Sequence, residues 1–165
     1  MDKMPLNAFE RIVRRAHFFS DEEVRLDLVD HPFDVRNIHP ALPKNVKELF
    51  DDGYYSQATF EAFKYLDREV ARISNLNQSG YKLMMAAFSD QSPKIQLTSL
   101  ASDSERDEQK GYQFIFAGAV MAVRNPRGHE YKIKDGIDEC LDYLSLVSLL
   151  LRRIERAGFT LKLNN

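Results

Sequence analysis

The chain has 165 residues, 44% hydrophobic and 29% charged, which suits one globular domain with a substantial core. Its net charge is −2 and its pI about 6.1, which excludes a protein that coats nucleic acid through a global basic field; any phosphate contact must be local. The single cysteine, Cys140, excludes an intrachain disulfide and a cysteine-based metal cage, and its Cys-Leu-Asp-Tyr-Leu setting reads as a buried thiol on a helix.

In chain order, Leu6, Phe9, Ile12, Val13 and Ala16 fall at spacings of three and four and predict an amphipathic helix over residues 5–19. The apolar stretch there is too short for a signal peptide. Ser20 to Pro43 carries prolines at 32, 40 and 43 and reads as an extended linker that either wraps the domain or leads away from it, with one short strand at Val24 to Val29. From Pro43 the helical period returns: Val46, Leu49, Phe50, Tyr54, Ala58, Ala62, Tyr65 and Ile73 trace a stripe that Phe60, Phe63 and Leu66 widen. Pro43 suits a first-turn position, and Gly53 marks either a bend or a junction between two shorter helices. The aromatic cluster Tyr54, Phe60, Phe63 and Tyr65 reads as core.

Asn-Gln-Ser-Gly at 77–80 punctuates the chain before a short helix over Tyr81 to Phe88. After a loop, Ser102-Asp-Ser-Glu105 resembles a capping box that opens a helix to Arg124. The last helix spans Asp138 to Ala157, with Gly158 at its C-terminal end, and Arg152, Arg153 and Arg156 complement its dipole or form a dimer seam or RNA track. Its apolar run, Leu144 to Leu151, is broken by serines and too short to span a bilayer. These elements predict an all-α bundle of four to five helices: residues 1–42 as helix and linker, 43–158 as the domain, and 159–165 as a tail. A soluble, reducing, cytoplasmic setting is expected, with no membrane partner.

The stretch FAGAVMAVRNPRGHEYK, Phe116 to Lys132, runs from a buried helix straight into Arg-Asn-Pro-Arg-Gly-His. Pro126 is expected to kink or end that helix, and Gly128 to add backbone freedom, so that Arg124, Asn125 and His129 converge. A guanidinium clamps phosphate through a planar fork, an imidazole moves a proton at neutral pH, and an asparagine orients either. These are the parts for cleaving a phosphodiester without a metal. Arg127 and Lys132 add charge beside them, suited to the RNA backbone or simply solvated. Tyr131 either packs or stacks on a base. The alternative is plain: Pro-x-Gly stops a helix, and a basic last turn complements its dipole. Asp135 and Asp138 have no histidine at ligand spacing, so neither a metal nor a cofactor is expected. Val-Arg-Asn-Ile-His at 35–39 repeats the Arg-Asn pair at the wrong spacing in a proline-rich setting and reads as a decoy.

FAGAVMAVRNPRGHE resembles the signature of HEPN domains, Arg-x(4–6)-His with a polar residue after the arginine. HPALPKNVKELFDDGYYSQATFEAFKYLDREVARIS, GYKLMMAAFS, LTSLASDSERDEQKGYQFIFAGAVMAVRNPRGHE and CLDYLSLVSLLLRRIERA follow in order the pattern of the Ymh-type branch, so the resemblance covers His39 to Ala157. It implies a four-helix core and a symmetric homodimer whose two motifs face one cleft. The implied activity is a metal-independent ribonuclease of toxin, phage-defence or RNA-processing systems. On that resemblance Arg124 polarises the scissile phosphate, His129 performs general acid–base chemistry and Asn125 orients one of them. The products are a 2′,3′-cyclic phosphate and a 5′-hydroxyl. The competing readings are a non-catalytic module that binds RNA or docks an antitoxin or defence-complex protein, and a helical dimerisation domain whose motif only builds the interface.

Overall fold

The structure is a computed structural model and describes residues 30–129 and 133–162; the His129 side chain also lies outside the description. The expected helix at 5–19 and strand at 24–29 fall outside the described residues. Compactness divides the chain after His31, and the unit that begins at Pro32 is the one described here.

Among the described residues this unit is helical throughout: α1 (Pro32–Val35), α2 (Lys44–Asp51), α3 (Tyr55–Ser74), α4 (Gly80–Ala87), α5 (Asp103–Ala119), a π-helical turn (Val120–Arg124), α6 (Asn125–His129) and α7 (Ile137–Arg156). The predicted all-α bundle is what forms. Its centre is α3, whose 20 residues span about 30 Å and pack against α2, α4, α7 and the π-helical turn. Phe63, Leu66 and Val70 of α3 are fully buried with Leu83, Met84, Phe116, Leu144, Leu150 and Ile154 from the surrounding helices. Phe88 and Phe116 stack with centroids 4.1 Å apart, joining the end of α4 to α5.

The helix ends follow local chemistry. Ser102 accepts from the Glu105 amide while the Glu105 carboxylate accepts from the Ser102 amide, so the capping box forms as read. Gly53 (φ +79°) ends α2 in the left-handed region, and the Tyr54 amide reaches back to the Leu49 carbonyl. Of the two readings of Gly53, the junction is the one observed. Gly158 ends α7 in the same way, with φ +89°. The loop after α4 is fastened from α5 by the fully buried Gln109, whose Nε2 donates to the Phe88 and Ile95 carbonyls and whose Oε1 accepts from the Leu97 amide.

Two expectations need correction. From Pro32 onward the predicted linker is not simply extended: it opens with α1 and wraps the domain, with apolar residues buried and polar groups partnered on α7. Ile38, Ala41 and Leu42 are buried, and Asn37 turns the chain at φ +50°. The His39 amide donates to Ser148 Oγ (2.9 Å). The Ala41 amide donates to His39 Nδ1, which leaves the ring proton on Nε2, 2.9 Å from the Glu155 carboxylate. Arg36 pairs with Asp142, and Arg152 donates to the Asn37 carbonyl. The Arg-Asn-Ile-His decoy is thus a strap across the last helix. The second correction concerns the aromatic cluster: Phe63 and Tyr65 are core, Phe60 is half-buried, and Tyr54 is 55% exposed because it lies at the start of α3, outside the helix's buried stripe.

Arg152 and Arg153 are held within the protein. Arg153 lies 5.0 Å over the Tyr112 ring and donates to Glu108 and to the Leu97 carbonyl. Among the described residues, no helix is long and apolar enough to cross a membrane.

Candidate functional site

The helix that begins at Asp103 does not stop at Pro126. It passes through the π-helical turn and continues as α6 to His129. This corrects the expected end of the helix at the proline, and the physical reason lies in the turn itself. The Asn125 amide bonds back to the Val120 carbonyl, five residues away, so the helix is widened just ahead of the proline. Pro126 then falls in the first turn of α6, the helical position where its fixed φ fits and its missing N–H is best tolerated. Such π-helical insertions are frequent at functional sites.

Arg124 is the last residue of the widened turn. Its Nε is shut off from solvent and has no hydrogen-bond partner. Its Nη1 makes a long contact, 3.4 Å, to Asn125 Oδ1. A buried donor without an acceptor is costly, on the order of 1–3 kcal/mol. The structure therefore brings Arg124 and Asn125 into contact and ends their helix at His129. Lys132 and Tyr131 lie outside the described residues.

The wall facing Arg124 is the start of α4. A Cβ built on Gly80 would lie 3.8 Å from Arg124 Nη1, and Gly80 adopts φ +67°, a conformation side-chain-bearing residues resist. Gly80 is held there by Asp67 of α3, a carboxylate only 5% exposed, whose Oδ1 accepts from the Gly80 amide at 2.7 Å. On the other side, Gly128 lets α6 approach α3 closely: a Cβ there would meet Phe60 Cε2 at 3.1 Å.

Arg127 points the other way. Its guanidinium forks onto Asp135 (Nε to Oδ2, 2.8 Å, with Nη2 on Oδ1), donates through Nη1 to the Val123 carbonyl at 2.9 Å, and lies 4.5 Å over the Tyr143 ring. The two side chains are 6% and 1% exposed. Burial alone would lower the guanidinium's pKa, but the Asp135 hydrogen bonds and charge outweigh it and hold it above its ordinary value. Arg127, expected either on the RNA backbone or solvated, has its donors committed inside the protein. Beside this pair, Ser56 Oγ donates to the Ile133 carbonyl and accepts from the Asp135 amide. Ile133 and Asp135 are thereby fastened to α3, and Asp135 to α6 as well.

Asp67, Gly80 and Ser56 were not singled out from sequence. Asp67 left a signal: it is a charge four residues after Phe63 and three before Val70, on a face otherwise apolar. Burial pushes the Cys140 thiol up in pKa, in keeping with its reading as an inert buried residue. Among the described residues, no group of three or more His, Cys, Asp or Glu side chains is placed to hold a metal ion.

The class defined by these features is a small helical bundle with an Arg-Asn-x3-His sequence at the end of its π-interrupted helix. A family model described as "Protein of unknown function (Hypoth_ymh)" matches residues 36–154, from the strap to the end of α7, and the chain belongs to that family. No curated protein and no solved structure matches it.

Proposed function

We propose that the protein is a metal-independent endoribonuclease of the HEPN type, acting as a homodimer in a toxin or phage-defence system. The observation that carries the reading is the Arg124 guanidinium, buried at Nε with a donor unspent and touching Asn125 on the helix that ends at His129. Such a group is costly to the fold and suited to a phosphate oxygen. In the proposed reaction the 2′-hydroxyl oxygen attacks the adjacent phosphorus, the bond to the 5′-oxygen breaks, and Arg124 stabilises charge on the non-bridging oxygens. His129 handles the proton taken from the 2′-hydroxyl, and a proton returns to the leaving 5′-oxygen, which two motifs facing one cleft can supply from separate imidazoles. Proton transfer of this kind contributes about 10²–10⁴ in rate.

Support for a second copy comes from the helix that carries the motif. Phe114, Ile115 and Met121 are large, apolar and about half exposed. Gly111 and Gly118, seven residues apart, have open space around them. Phe114, Gly118 and Met121 share a face by their spacing, and that face runs toward Asn125. Phe114→Glu is expected to shift the protein to monomer in light scattering and to lower cleavage. Wild type that is monomeric at every concentration tested removes the two-motif cleft from the proposal.

The deciding experiment is cleavage of labelled RNA and tRNA in EDTA by wild type and by His129→Ala, with the product ends identified. Cyclic-phosphate ends from the wild type alone are the expected result. RNA bound but left intact by both proteins would instead favour a non-catalytic module that binds RNA. If RNA is neither bound nor cut, the ribonuclease reading fails, and docking to an antitoxin or defence-complex protein takes its place.

A further inference from the structure

We infer that Tyr81, at the start of α4, is a nucleobase-stacking wall of the Arg124 site. This rests on the RNA reading above and adds to it a residue outside the Arg-Asn-x3-His motif. Gly80 is fixed from below by Asp67, and a Cβ built on it would lie 3.8 Å from Arg124 Nη1. Tyr81 is the next residue, so its backbone stands one peptide step, about 3.8 Å between Cα atoms, from that contact. Its neighbours Leu83, Met84, Ala87 and Phe88 are buried without exception, whereas Tyr81 is 44% exposed. No hydrogen bond or ring contact engages Tyr81 among the described residues, and Lys82 beside it is exposed as well.

In a nucleotide the base lies one sugar away from the phosphate, a separation of the same order as the reach of a tyrosine side chain from its backbone. A phosphate held on Arg124 therefore brings the adjacent base within range of the Tyr81 ring. Face contact of this type binds any base, because every base has a π-face. The ligand class is single-stranded RNA with an unpaired base beside the scissile phosphate. Asp67 acts as a positioning residue: its carboxylate sets Gly80, and through Gly80 the distance between stacking wall and guanidinium.

The test uses the full chain carrying His129→Ala, so that RNA is not consumed, and a fluorescein-labelled single-stranded RNA dodecamer in EDTA, read by anisotropy. Tyr81→Ala is expected to bind the RNA about tenfold more weakly, and Tyr81→Phe to bind within about twofold, since the ring and not the hydroxyl makes the contact. Competition by inorganic phosphate is expected to be the same in all three proteins, because phosphate is held on Arg124. Equal RNA affinity in Tyr81→Ala and its parent overturns the inference while leaving the ribonuclease reading intact. A Tyr81→Phe variant as weak as Tyr81→Ala, with unchanged thermal melting, also overturns it. If the parent binds no RNA and the wild type cuts none, both readings fall together.

Discussion

Replacing Asp135 with leucine should destabilise the protein by roughly 3–5 kcal/mol, the range for a buried ion pair stripped of one partner. The Arg127 guanidinium, 6% exposed, would keep its Tyr143 and Val123 contacts and Glu139 at 3.9 Å, and lose the carboxylate that forks onto it. In a chain of this size a loss of that order lowers Tm by on the order of 10 °C. Arg127→Met should cost a similar amount by stranding the carboxylate. The double replacement with Asp135→Leu should recover much of the loss, because the two desolvation penalties vanish together. Thermal melting of the four proteins closes the cycle. The result that would sink this account is Arg127→Met melting within a degree or two of wild type while RNA affinity drops. That would return Arg127 to the substrate.

Arg124→Met should do the reverse: cleavage falls by at least 10²–10³ while stability holds or rises. The buried Nε has no partner, so the replacement removes a polar group that the fold pays to keep. Methionine follows the same path with an apolar atom near that place. Arg124→Lys should also fail in cleavage, since an ammonium offers a point charge without the planar fork. Melting and cleavage measured on the same preparations separate the readings. If Arg124→Met melts several degrees lower, Arg124 belongs to the architecture, and the helical dimerisation domain becomes the better account of the motif.

How much of this was legible in the sequence depended on the range of the forces involved. Caps were readable because they are local: Ser102 and Glu105 sit three residues apart, and Gly53 and Gly158 act on the turn just before them. The helical stripe of α3 was readable for the same reason. The strap was not, since His39 looks like a polar residue in a proline-rich run until Ser148 and Glu155 are brought beside it. The pairing of Arg127 was not readable because its partner is a carboxylate past a chain segment with no periodicity, and nothing local distinguishes a paired arginine from a solvated one. Pro126 was misjudged because the rule against proline in helices assumes an α-turn ahead of it, and here that turn is widened. The site residues were legible as a motif. The wall opposite them, Asp67 and Gly80, depends on three helices meeting and had no short-range signature beyond one misplaced charge.

The strap also fixes when the protein can exist as a finished object. Arg36, Asn37 and His39 find their partners 106 to 116 residues later, on the last helix. During synthesis these groups leave the ribosome early and wait. The hydroxyl of Ser148 and the carboxylate of Glu155 arrive only after more than a hundred further residues have been made. Until then, the first part of the bundle has no surface to close against, and contacts of such long sequence separation form late and slowly. A nascent chain is therefore without a sealed core, and its last helix acts as the latch. If the protein cuts RNA as proposed, the cell's own translation machinery is spared the enzyme until the latch has closed.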